Sequence, residues 1–161
     1  MQTRWENEVA QLLNDVLAVQ DDLSVNLAKK RKMLIASDMA GLAAVAPEEE
    51  QLIARLQGCV EQRQRLLSNA AEEGLPARSV RALADALPAE RRGELPDRLA
   101  KASSKARILQ HESFTNWLVA QRSLIHLSQM LEIIATGGRL QPTYGNGEPV
   151  NASGGIVDGA A

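Results

Sequence analysis

One long helical stretch constrains this chain more than any other feature. From Leu95 onward, Leu99, Ala102, Ala106, Leu109, Ser113, Asn116, Ala120, Leu124, Leu127, Leu131 and Ile134 recur at alternating steps of four and three. That spacing keeps one side turned toward a partner helix over many turns. Pro96 suits a first helical turn, where its missing N–H removes no intrahelical bond. At the other end Gly137 and Gly138 can adopt the left-handed conformation that closes a helix, and Pro142 opposes continuation. About forty residues at 1.5 Å rise make a rod of roughly 60 Å. A rod that long needs helices beside it.

Two further stretches supply them. Trp5, Val9, Leu12, Val16, Val19 and Leu23 carry the same spacing and predict a helix over about residues 3–36, whose seam turns polar at Asn26 and Lys30. A bend or a change of partner is expected there. Ser37 and Asp38 offer a cap, and Pro47 followed by Glu48, Glu49 and Glu50 reads as a fresh helix start, with proline in the first turn and carboxylates at the positive end of the dipole. Leu52, Leu56, Cys59, Arg63, Leu66 and Ala70 extend that helix to about Glu73, where Gly74 and Pro76 stop it. Residues 79–87 and 89–94 are two short helical candidates, read as a linker of undetermined docking. The expected fold is therefore all-α: an antiparallel bundle of three long helices with short helical linker segments. The domain reading is a helical bundle over residues 1–140 and a disordered tail over 141–161, rich in Gly, Pro, Asn and Ser.

Composition agrees with helical packing: 45% of residues are hydrophobic but only 2% aromatic, and the formal net charge is −2. Interspersed charges leave no electrostatic footprint for nucleic acid, and no apolar run reaches the ~18 residues that stable membrane insertion needs. Charges among the first eight residues stand where a signal peptide would be apolar, and the single Cys59 fits a reducing compartment, so a cytoplasmic location is expected.

Chemistry is sparse. His111 and His126 lie about four turns apart on one predicted helix, too far to share a metal, and no Glu-x-x-His pair accompanies them. Both are expected at the surface or boundary, and Cys59, on an apolar stripe, is expected as a small buried hydrophobe. Gly145-Asn146-Gly147 follows no strand and opens no helix, so it reads as a turn rather than a phosphate loop. No catalytic constellation, cofactor or metal is expected, and the chain reads as a non-enzyme.

Two features go beyond what a plain bundle needs: Asn116-Trp117-Leu118 in the middle of the last helix, and Pro142-Thr143-Tyr144-Gly145-Asn146-Gly147 after it. With the layout of residues 5–148, they resemble the flagellar export chaperones of the FlgN kind, small helical proteins that hold hook–filament junction subunits before type III secretion. The resemblance is sharpest at Tyr144-Gly145, which matches the family's tyrosine-glycine pair just past the last helix. It departs at Ser113 and Asn116, where the family often carries two asparagines, and at Gly147, one residue short of the usual Tyr-Gly-x-x-Gly.

The resemblance implies that hook-associated proteins are held by a terminal helical segment and that Tyr144 and Gly145 dock the loaded chaperone on the export gate. The residues point to the same role on their own. Leu124, Ile125, Leu127, Met130, Leu131, Ile133 and Ile134 make an apolar face wider than a two-helix seam requires, suited to an amphipathic client helix. Asn116, Trp117, Leu124, Leu127, Met130, Leu131 and Ile134 are the candidate client-binding residues, although Trp117, flanked by apolar positions, reads more readily as core. Tyr144 reads equally well as an anchor for the returning tail. The alternative is a self-associating coiled-coil adaptor or scaffold, with a weak homodimer left open.

Overall fold

The computed structural model describes residues 2–136, all helix, turn and connection, with no strand among them. The expected tail, the helix-closing glycines, the boundary at residue 140 and the Tyr144-Gly145 pair lie outside the described residues.

Helix α1 (Gln2–Ile35) and helix α2 (Met39–Glu72) form an antiparallel hairpin. The end of α1 is closed by paired backbone bonds: the Asp38 N–H donates to the Met33 carbonyl at 2.9 Å, and the Ser37 N–H to the Leu34 carbonyl at 3.2 Å. This closure puts its pivot residue in the left-handed region, and here that residue is Ser37 at φ 54°. Asp38 then caps α2, its carboxylate accepting from the Gly41 N–H at 2.8 Å. A side chain on Gly41 would collide with that carboxylate, since a Cβ would stand 2.2 Å from Asp38 Oδ2.

This cap corrects the expected start at Pro47. The helix already runs from Met39, and Pro47 lies inside it. The acidic residues consequently sit beside α1 instead of at a helix end. Lys30 Nζ donates to Glu49 Oε1 at 2.7 Å, and Lys29 pairs with Glu48 at 3.5 Å. The polar seam at Lys30 is thereby explained: α1 keeps α2 as its partner there, across ion pairs instead of leucines.

The other end of the hairpin holds the larger core. Trp5, Val9, Leu12 and Leu13 of α1 pack with Leu66 and Ala70 of α2, and Trp5 Nε1 donates to Glu73 Oε2 at 3.0 Å. Gly74, at φ 74°, closes α2 with the same paired bonds. The chain after it does more than link. Ser79 caps helix α3 (Val80–Ala86), its hydroxyl accepting from the Ala82 N–H at 3.0 Å, and Val80, Leu83, Ala84 and Leu87 all enter the core. Helix α4 (Ala89–Arg92) is a single turn, ending at Gly93 with φ 44°. Arg92 fixes the pair by donating to the Leu87 and Asp85 carbonyls at 2.8 and 2.6 Å.

Helix α5 (Leu95–Thr136) leaves this core through Leu95 and Leu99. Its described portion divides at Ser123, each side forming its own compact unit. Up to Ser123, α5 runs parallel to α1, giving the up-down-up order of a three-helix bundle. The contact between them is a ladder of polar side chains. Arg98 donates to Asn14 Oδ1 at 2.8 Å, Gln20 Nε2 to the Ala102 carbonyl at 3.0 Å, and Ser24 Oγ to Glu112 Oε2 at 3.4 Å, while Lys105 bonds Asp21. The inward stripe of α5 therefore differs from the regular heptad: Ala106 and Ser113 are exposed, and Lys105 and Glu112 are partly covered in their place. The cause is the partner's chemistry, because α1 offers Asp21 and Ser24 at those levels.

Candidate functional site

Asn116 is 5% exposed and fully committed within the fold. Its Oδ1 accepts from Arg31 Nε at 3.0 Å, and its Nδ2 donates to the Leu27 carbonyl at 2.9 Å. Both halves of the amide are thus spent on α1, and the residue positions α5. Trp117, the next residue, is turned about 100° around the helix and lies open to solvent. It is 55% exposed, which corrects its reading as core, and it stacks on Phe114 with ring centroids 5.8 Å apart. Phe114 and Leu118 join it at the surface. Sequence reasoning passed over Phe114, although an aromatic three residues before Trp117 on a helix signals a side-chain pair.

Beyond Ser123 the second unit has a different surface. Leu124, Ile125, Leu127, Met130, Leu131, Ile133 and Ile134 are all exposed, from 44% at Ile133 to 74% at Ile134. Single exposed aliphatics are ordinary, but seven within about three turns of one helix make a continuous apolar surface. The five candidates Leu124, Leu127, Met130, Leu131 and Ile134 belong to it.

Reactive chemistry is scarce among the described residues. No group of three or more His, Cys, Asp or Glu side chains there could hold a metal ion, and His111 and His126 are both exposed. Cys59 is buried with Val19 and Leu52, and that burial pushes its thiol above the ordinary value, which suppresses the nucleophilic thiolate. Asp21 is held below the ordinary carboxylate value by its hydrogen bond from Lys105, an effect of the polar ladder. No helix among the described residues is long and apolar enough to cross a membrane.

The described residues thus form a helical fold with exposed aliphatic side chains from Leu124 to Ile134 and no cluster able to hold a metal ion. A family model described as FlgN protein matches residues 1–148. The chain belongs to the FlgN family, whose members are flagellar export chaperones and not enzymes. No curated protein and no solved structure matches it.

Proposed function

We propose that this chaperone acts in the cytoplasm, holds the terminal helical segment of hook-associated proteins on the last turns of α5, and delivers them to the export gate. The observation that carries this reading is the exposure of Leu124, Leu127, Met130, Leu131 and Ile134 on one helix. An amphipathic client helix laid on that surface would remove aliphatic area from water at roughly 25 cal/mol per Å². Ordering the client segment would consume about 2–5 kcal/mol of the contact energy, which keeps release at the gate feasible. Met130, unbranched and polarizable, adapts the surface to clients of different shape. Tyr144 and Gly145 are proposed as the gate-docking pair, a role supported by their match to the family's tail. Co-expression with hook–filament junction subunits tests the holding step. One subunit should co-purify, and deletion of its terminal segment should abolish retention. Retention that survives the deletion would contradict the proposal. A self-associating scaffold would instead give a dimer that resists dilution in light scattering and retains no subunit.

A further inference from the structure

Within the unit up to Ser123, α3 lies against one side of the hairpin, and past it that side continues with exposed aliphatics on α2 beside a partly covered floor on α1. On α1 the line Val9, Leu13, Val16, Gln20, Leu23, Leu27 advances by alternating fours and threes. The core that contains α3 takes in Val9 and Leu13, with Val16 packed against it. Farther along, Gln20 is buried with its amide on the Ala102 carbonyl, Leu23 packs against the second core of Val19, Leu52 and Cys59, and Leu23 and Leu27 keep part of their surface exposed. On α2 the same side is marked by Leu67, packed against that core, and by Val60, Leu67 and Ala71, which line a shallow depression with Ala77 just before α3. Leu56 and Ile53 lie one and two turns farther along it from Val60. All three are exposed, Ile53 at 46%, Leu56 at 39% and Val60 at 55%. On α5 the side is marked by Leu99, packed against the core, and about five turns later by Trp117 on the same line of the helix.

The result is one strip with two halves. Its first half is filled by α3 and its C-cap residue, presenting Val80, Leu83 and Ala84 from the helix and Leu87 just after it, at i, i+3, i+4 and i+7. Its second half has Leu23 and Leu27 along α1, Ile53, Leu56 and Val60 on the α2 side, and Trp117 on the α5 side, with no described segment over it. From Val16 to Leu27 the open half is about 17 Å long, the length of three helical turns. We infer that this open half is a second seat for an amphipathic helix, supplied by the export client and bound as a continuation of α3. The seat of α3 defines the occupant's chemistry: aliphatic side chains at i, i+3, i+4 and i+7 on one face, with the opposite face polar. The client as source of that helix rests on the chaperone reading, and the seat rests on the geometry of this unit alone.

Trp117 reports on the seat directly. In a Trp5→Phe background it is the chain's one tryptophan, and its half-exposed indole should shift to shorter emission wavelength when a helix covers it. The probe is a synthetic peptide of the terminal segment of a hook–filament junction subunit. Titration should blue-shift Trp117, and the double variant Leu56→Asp/Val60→Asp should bind the peptide at least tenfold more weakly with an unchanged melting temperature, since both residues are exposed. Unchanged affinity in that variant, or peptide binding without any Trp117 shift, overturns the second seat. If Leu127→Asp/Leu131→Asp alone weakens binding, the client sits only on the end of α5, so the chaperone reading survives and this inference fails. A parent that binds no such peptide refutes both. A Trp117 shift that follows protein concentration without peptide assigns the strip to a second copy and overturns the client as occupant.

Discussion

Replacing Asn26 and Asn116 by leucine, one at a time, should move stability in opposite directions. Asn26 is 1% exposed, and neither its Oδ1 nor its Nδ2 has a hydrogen-bond partner among the described residues. Burying an amide unpaired costs about 1–3 kcal/mol, so a leucine of similar size at that point of the α1–α2 seam should recover roughly that amount. Asn116 is nearly as buried, but both halves of its amide are engaged, with Arg31 and with the Leu27 carbonyl. Leucine there deletes two interactions and strands the Arg31 guanidinium, for a loss of about 1–3 kcal/mol. Urea unfolding followed by circular dichroism separates the two cases, provided the slope of the transition is unchanged and only the midpoint moves. Against a typical total of roughly 5–15 kcal/mol, both shifts are readily measured. A fall in stability for Asn26→Leu, matching that of Asn116→Leu, would show that the Asn26 amide is satisfied in the folded protein and refute the reasoning.

Three further outcomes are expected. Leu12, 2% exposed in the core beside Trp5 and Val9, should not tolerate aspartate: Leu12→Asp buries an unpaired charge at several kcal/mol and should abolish cooperative melting. A normal melt would mean that the wrong face of α1 has been assigned to the core. Ser37→Gly should raise stability by about 1 kcal/mol, because a left-handed backbone at φ 54° strains serine and not glycine, and a lowered melting temperature would contradict this. Tyr144→Ala should leave melting within about 0.5 kcal/mol of the parent and client affinity unchanged, while affinity for the cytoplasmic domain of the export gate falls. A lowered melt with gate binding intact would make Tyr144 an anchor.

The existence of the three long elements could be read from sequence because leucine spacing carries a helical period through most of α1, α2 and α5. The start of α2 could not be read so easily, since Pro47 with three glutamates imitates a helix start, and only the Asp38–Gly41 contact reveals the earlier one. Docking of the 79–94 region was hidden for a different reason. Two short helices carry too few positions to declare a buried face, and Val80, Leu83 and Leu87 become core only in a cluster with Trp5 and Val9, which lie far away in sequence. The inward stripe of α5 departs from its heptad because Lys105 and Glu112 find Asp21 and Ser24 across some eighty-odd residues of chain. Asn116 was read as a client-binding residue, whereas the structure engages both halves of its amide with Arg31 and the Leu27 carbonyl of α1, contacts that no spacing in the sequence announces. The aliphatic excess of residues 124–134 was plain from sequence, since periodicity counts apolar positions whether or not anything covers them.

The central claim is that the exposed aliphatics at the end of α5 bind the client. It is tested most directly by titrating an intact hook–filament junction subunit against the parent and against Leu127→Asp/Leu131→Asp in a calorimeter. These leucines are 51% and 65% exposed, so the substitutions should leave the melting temperature unchanged. Covering their free surface with a client contributes about 1–2 kcal/mol each, so the double variant should bind at least tenfold more weakly. Equal affinity for parent and variant, with both fully folded, would contradict the claim.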